Sequence, residues 1–108
     1  PELIRKMATN QLAGDIASLL PEGPEGFREW MPFEGLGMGL GVWVAQDSSR
    51  LAWNSNPGEF GWGGVANMVF WIDPVSDSSV LFFTQVMPSS QLGLRVALHR
   101  FAAEILHR

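Results

Sequence analysis

Two apolar runs with a polar break between them constrain this chain more than any other feature. Met68-Val69-Phe70-Trp71-Ile72 is apolar at every position, the pattern of a strand covered on both faces. After Asp73-Pro74-Val75-Ser76-Asp77 comes a second run, Val80-Leu81-Phe82-Phe83-Thr84-Gln85-Val86. The break favours a tight reversal, because Asp side chains bond nearby backbone N–H groups and Pro fixes φ. An antiparallel hairpin is the simplest arrangement, and the rest of the chain must attach to it.

Glycine organises what precedes the hairpin. Gly35, Gly37, Gly39 and Gly41 alternate with Leu36, Met38, Leu40 and Val42. A two-residue period leaves one side of a strand bare, so another backbone or a ligand can approach closely. Such a strand is weak by itself and needs neighbours on both sides. Strand character continues through Val42-Trp43-Val44-Ala45, so residues 35–45 read as one extended segment. It stops at Gln46-Asp47-Ser48-Ser49-Arg50, and Asn54-Ser55-Asn56-Pro57-Gly58 completes a polar excursion. No strand and helix frame these glycines, so they form no dinucleotide fingerprint. Phe60-Gly61-Trp62-Gly63-Gly64-Val65-Ala66-Asn67 joins the excursion to the hairpin and carries three of the twelve glycines.

Helices are expected at both ends. Pro1 and Glu2 suit a first helical turn, with Leu3, Ile4 and Met7 at helical spacing, so a helix runs through residues 1–12 and ends near Gly14. Residues 15–20 add a turn, and Pro21-Glu22-Gly23-Pro24-Glu25-Gly26 is an exposed connection followed by Phe27, Trp30 and Phe33. Pro88-Ser89-Ser90 offers a helix start, after which Leu94, Leu98, Phe101 and Ile105 trace an apolar face, with Arg95, His99, Arg100 and Glu104 elsewhere. The expected fold is α+β: an antiparallel sheet of about three strands with N-terminal and C-terminal helices packed on it. Residues 1–34 lead into the sheet, and residues 35–108 supply its strands and the last helix.

Composition removes several function classes. A chain of 108 residues forms one domain with a modest core. Apolar residues make up 46% and charged ones 17%, a globular balance, and no apolar run reaches the ~18 residues of a membrane span. The net charge is −4 and the seven basic residues are scattered apart from Arg5-Lys6, so nucleic acid is not an expected partner. The absence of Cys excludes disulfides, thiolate zinc sites and a Cys nucleophile. The chain opens on Pro1-Glu2-Leu3-Ile4 without a charged-then-apolar leader, and reads as one entered midway.

Five segments taken together carry a resemblance. They are Met7-Ala8-Thr9-Asn10-Gln11-Leu12, Gly37-Met38-Gly39-Leu40-Gly41-Val42, Gly61-Trp62-Gly63-Gly64, Phe70-Trp71-Ile72-Asp73-Pro74 and Thr84-Gln85-Val86-Met87-Pro88-Ser89-Ser90. In order and spacing the chain resembles the C-terminal part of serine β-lactamase-like proteins, the group of class C β-lactamases, family VIII esterases and penicillin-binding-protein-like domains. That family carries a catalytic Ser in Ser-x-x-Lys and a Tyr in a Tyr-x-Asn type motif, both well upstream of a Lys-Thr-Gly, His-x-Gly or Trp-Gly-Gly triplet on an edge strand. By the resemblance Trp62 stands for the Lys or His, Gly63 for the Thr and Gly64 for the Gly. Val65 then supplies the backbone N–H that completes the oxyanion hole. Such a hole needs donors aimed where charge develops, and nearby glycines keep Cβ atoms out of the way.

The departures from that pattern shape the expected activity. Trp62 and Gly63 offer neither the charge nor the hydroxyl that suits a substrate carboxylate, whereas an indole suits the apolar part of a neutral ester. An esterase-like hydrolase of a small-molecule ester or amide, needing no cofactor, is therefore preferred to a β-lactamase. The only lysine, Lys6, is preceded three positions earlier by Leu3, and there is no Tyr. Nucleophile and general base are missing, so the chain alone is expected to be inactive and to require the N-terminal part of its own domain as partner.

Other candidates have plainer readings. His99 and His107 sit eight apart on a helix and read as solvated rather than metal-ligating. Ser89-Ser90 reads as helix capping, and Asp73 and Asp77 as turn chemistry around Pro74. The alternative function is a non-catalytic or degenerate module that uses Trp30, Trp43 or Trp53 to bind an apolar or sugar ligand, against which stands ordinary core packing of those rings.

Overall fold

The computed structural model describes residues 1–19, 33–87 and 93–106. The connection at 20–32 with Phe27 and Trp30, the helix start at Ser89-Ser90, and His107 lie outside the described residues. The chain runs α1 (Glu2–Met7), α2 (Ile16–Leu19), β1 (Leu36–Met38), β2 (Trp43–Ala45), β3 (Phe60–Gly63), β4 (Val69–Asp73), β5 (Ser78–Phe82) and α3 (Leu94–Leu106). The five strands form one antiparallel sheet in chain order. The α+β class with helices at both ends is as the sequence reads, with two strands more than expected.

One of the extra strands comes from the glycine-rich segment. Residues 35–45 do not form a single strand: they fold back at Leu40-Gly41, where Gly41 takes φ +84° and Gly39 N–H donates to Val42 O at 2.8 Å. A left-handed residue in a two-residue loop turns one extended segment into a hairpin. The bare side of β1 is filled as the alternation implies, by backbone of Met7 at Gly39 and by the side chain of Asn10 at Gly37. A Cβ on Gly39 would overlap Met7 O, and one on Gly37 would come within 2.5 Å of Asn10. Asn10 Oδ1 accepts from Met38 N–H at 3.0 Å, and Gln11 N–H donates to Met38 O at 2.8 Å. This segment covers an edge that would otherwise stand open.

The register sorts the sheet into two faces. Leu36, Trp43, Ala45, Val69 and Trp71 lie on the first, where they form the core with Phe33, Trp53 and Ala102 of α3. Phe60, Trp62, Phe70, Ile72 and Leu81 share the second face. β4 alternates buried and exposed along its length, so the run expected to be covered on both faces is covered on one. The reason is that α3 serves only the first face. On the second, α1 stands near Phe60 and Ile72 across a groove of about 800 Å³, while Leu81 and Phe83 are 63% and 74% exposed.

α3 is rotated from the side its sequence implies, with Leu98 of the expected apolar face still packed against the core. Its buried residues are Arg95, His99 and Ala102, whereas Phe101 is 61% exposed and Ile105 is exposed as well. The sheet explains the rotation, because its first face offers a bare Gly63, the Glu59 carboxyl and two indoles. Those groups suit a guanidinium and an imidazole better than they suit Phe or Ile.

Candidate functional site

The four residues singled out by the triplet meet at one end of the sheet. β3 pairs with β4 from Phe60 to Gly63 but with β2 only at Phe60 and Gly61, so Trp62 and Gly63 run beyond β2. β3 is thus the central strand by order and an edge only at its motif end. The loop to β4 is a three-residue hairpin connection. Asn67 N–H donates to Gly64 O at 3.2 Å, Gly64 N–H donates to Met68 O at 2.8 Å, and Asn67 sits at φ 64°. A type I turn closed by a left-handed residue has this pattern, and Asn tolerates that conformation better than most side chains. Buried Asn67 also donates from Nδ2 to Val86 O at 2.7 Å, which ties the loop to the segment after β5.

Each site residue has a distinct position. Val65 lies at the tip of the turn, 62% exposed, and its N–H makes no hydrogen bond among the described residues. Gly64 has open space where a Cβ would stand, its nearest neighbour being Met68 Cε at 3.5 Å. Trp62 points to the second face, half-buried, beside a groove of about 330 Å³ that it shares with Met68, Phe70, Leu81 and Phe83. Gly63 points the other way, toward α3. A Cβ there would overlap the Arg95 guanidinium, so its bareness admits a side chain of this same chain rather than a substrate.

Arg95 is the residue at this end that sequence reasoning missed. It is buried, and its Nη2 donates to Gly64 O at 3.0 Å. Burial pulls its pKa below the ordinary arginine value, yet a guanidinium remains charged inside proteins. Gly64 O therefore accepts two bonds, one charge-assisted. The only available signal was the lack of a side chain at Gly63, which shows that something approaches without showing what.

A second polar cluster lies deeper. His99, expected in solvent, is buried between Trp71 and Trp53, with ring centroids 3.8 Å and 4.2 Å away. Its Nδ1 lies 3.0 Å from Arg95 O, which can only accept, so Nδ1 carries a proton. Its Nε2 lies 3.1 Å from Oε1 of buried Glu59. One proton lies between those two atoms, as imidazolium with carboxylate or as a neutral pair, and the pair carries no net charge either way. Closed by indoles above and below, this imidazole serves the core. Trp43 is fully buried beside it, so neither Trp43 nor Trp53 offers an exposed ring for a ligand.

Asp73 performs turn chemistry, as its sequence context implies. Its carboxylate accepts from Val75 N–H at 2.9 Å, Ser76 Oγ at 2.7 Å and Asn56 Nδ2 at 2.8 Å. Burial alone would raise its pKa, but these hydrogen bonds outweigh burial and hold it below the ordinary value. Asp77 stands at φ 52° in the same reversal. Among the described residues no group of three or more His, Asp or Glu is placed to hold a metal ion, and no helix is long and apolar enough to cross a membrane. The chain matches no protein-family model and no curated protein sequence.

Proposed function

We propose that this chain forms one wall of an acyl-transfer site in a β-lactamase-like serine hydrolase, esterase-like in preference. Its nucleophile and general base would come from the N-terminal part of the same domain. The carrying observation is the 64–67 turn, which holds an exposed Val65 N–H without a partner among the described residues, beside an apolar groove walled by Trp62. The order and spacing of the five segments support the family assignment. The uncovered second face supports a partner there, because a sheet that alternates buried and exposed apolar side chains has hydrophobic area left to bury.

In the proposed reaction a Ser oxygen attacks the ester carbonyl carbon, and the carbonyl oxygen takes up negative charge. Val65 N–H donates to that oxygen, so its bond strengthens as the tetrahedral intermediate forms. The general base takes the proton of the attacking Ser and passes it to the departing alcohol, and water then releases the acid from the acyl-enzyme. Trp62 lies beside the apolar part of the ester and has no charge to engage a carboxylate. Without Ser-x-x-Lys or Tyr the chain alone turns over nothing.

Val65→Pro tests this in the natural polypeptide that contains the chain. Val65 is the second residue of a type I turn, where Pro fits, so the substitution removes the N–H while the loop survives. Acylation should slow about a hundredfold or more, and an unchanged rate in the folded variant contradicts the assignment. Trp62→Lys should shift preference from neutral toward carboxylate-bearing esters, and unaltered selectivity counts against Trp62 as the pocket wall.

A further inference from the structure

We infer that Arg95 is a positioning residue for the Val65 N–H, acting through the carbonyl of Gly64. The inference rests on the proposed role of Val65 but can be tested without it. Gly64 C=O and Val65 N–H belong to one peptide unit, and in a trans peptide they point in opposite directions. Whatever fixes the oxygen therefore aims the hydrogen. Two donors fix it: Arg95 Nη2 at 3.0 Å and Asn67 N–H at 3.2 Å. Both lie on the oxygen side of the unit, so the Val65 N–H is directed away from them.

The clamp depends on three residues, Gly63 and Asn67 at the two ends of one turn and Arg95 on α3. Gly63 must lack a Cβ, since one there would overlap the guanidinium. Arg95 is held by α3, where the next turn carries His99, locked between Trp71 and Trp53 and bonded to Arg95 O at 3.0 Å. Asn67 is anchored by Val86 O at 2.7 Å. The cation does more than orient. A charged donor on the carbonyl oxygen polarises the peptide and makes its N–H a stronger donor, which is what an oxyanion site requires. A neutral donor of similar reach would aim the N–H without that effect.

The test reads the Val65 amide by NMR in the 15N-labelled chain, without substrate. In the unaltered chain its order parameter should be that of rigid backbone, about 0.85, despite its place at an exposed loop tip. A value below about 0.6 overturns the inference whatever the variants do. In Arg95→Met the Val65 order parameter should fall and its 15N resonance should move, while the Trp71 and Trp53 indole signals stay in place. Arg95→Lys, which keeps a cation and one donor, should restore part of both changes. A folded Arg95→Met variant with an unmoved Val65 amide also overturns the inference. In the catalytically complete polypeptide, Arg95→Lys should lower kcat with KM unchanged. Because the amide signals need no catalysis, clamping can hold while Val65→Pro shows no role in acylation, and the two claims fail separately.

Discussion

At the scale of single residues, the motif end of β3 is governed by what a glycine lets in. Gly63→Ala forces a methyl group into the space of the buried Arg95 guanidinium. Overpacking of this kind costs about 1–3 kcal/mol, read as a lower urea midpoint with an unchanged slope. Gly64→Ala meets only Met68 Cε at 3.5 Å and should cost less than Gly63→Ala. Asp73 gives the pH dependence its sign. Its folded pKa lies below the ordinary 3.8, so its stabilisation is complete above that value and is lost as pH falls through the folded value. Asp73→Asn should therefore be less stable than the parent at neutral pH, with the difference shrinking as pH drops below about 3.8 in acid-unfolding curves. The grouping of Trp62, Gly63, Gly64 and Val65 as one candidate site was legible because they are consecutive and match the triplet of the resemblance with the residue after it. Arg95 was not, because its partner is a backbone carbonyl 31 positions earlier and no spacing rule connects the two.

At the scale of elements, α3 shows where periodicity misleads. Leu94, Leu98, Phe101 and Ile105 make the better hydrophobic stripe, yet the helix turns Arg95, His99 and Ala102 to the sheet. A buried guanidinium and imidazole are tolerable there only because Gly64 O and Glu59 meet them. Helical periodicity scores side chains without asking what waits on the opposing face, so this exchange is invisible in the sequence. Phe101→Ser should change the stability of this chain by no more than about 0.5 kcal/mol in urea unfolding, the usual range for exposed positions. Glu59→Ala strands His99 Nε2 in the core without a hydrogen-bond partner and should cost about 1–3 kcal/mol. If the two variants rank the other way, the helix faces the sheet with its apolar stripe. The hairpin of β1 and β2 is a milder case. Alternating glycines gave away the close approach of another backbone, and only Gly41, at φ +84°, says that the chain also reverses there.

At the scale of the whole molecule, the described residues form a one-sided sheet. Its radius of gyration, 13.4 Å, is that of an ordinary folded domain of about 100 residues, while one face keeps Phe70, Leu81 and Phe83 in solvent. β5 pairs with β4 alone among the described residues. A dye that fluoresces on apolar surface should bind this chain, and Leu81→Ser with Phe83→Ser should reduce the signal without lowering the urea midpoint. The α+β class was legible because two apolar runs around an Asp-Pro turn admit few alternatives. That only one face is covered was not, since a strand apolar at every position looks the same whether or not a partner has arrived. We propose that such a partner brings a nucleophilic serine to the Val65 turn. The most direct measurement treats the polypeptide made by the native source, isolated with an antibody to residues 33–87, with a fluorophosphonate and maps the adduct. The expected result is a polypeptide longer than this chain, labelled on the Ser of an upstream Ser-x-x-Lys, whereas a polypeptide that contains no such Ser or stays unlabelled while folded would rule out the serine partner.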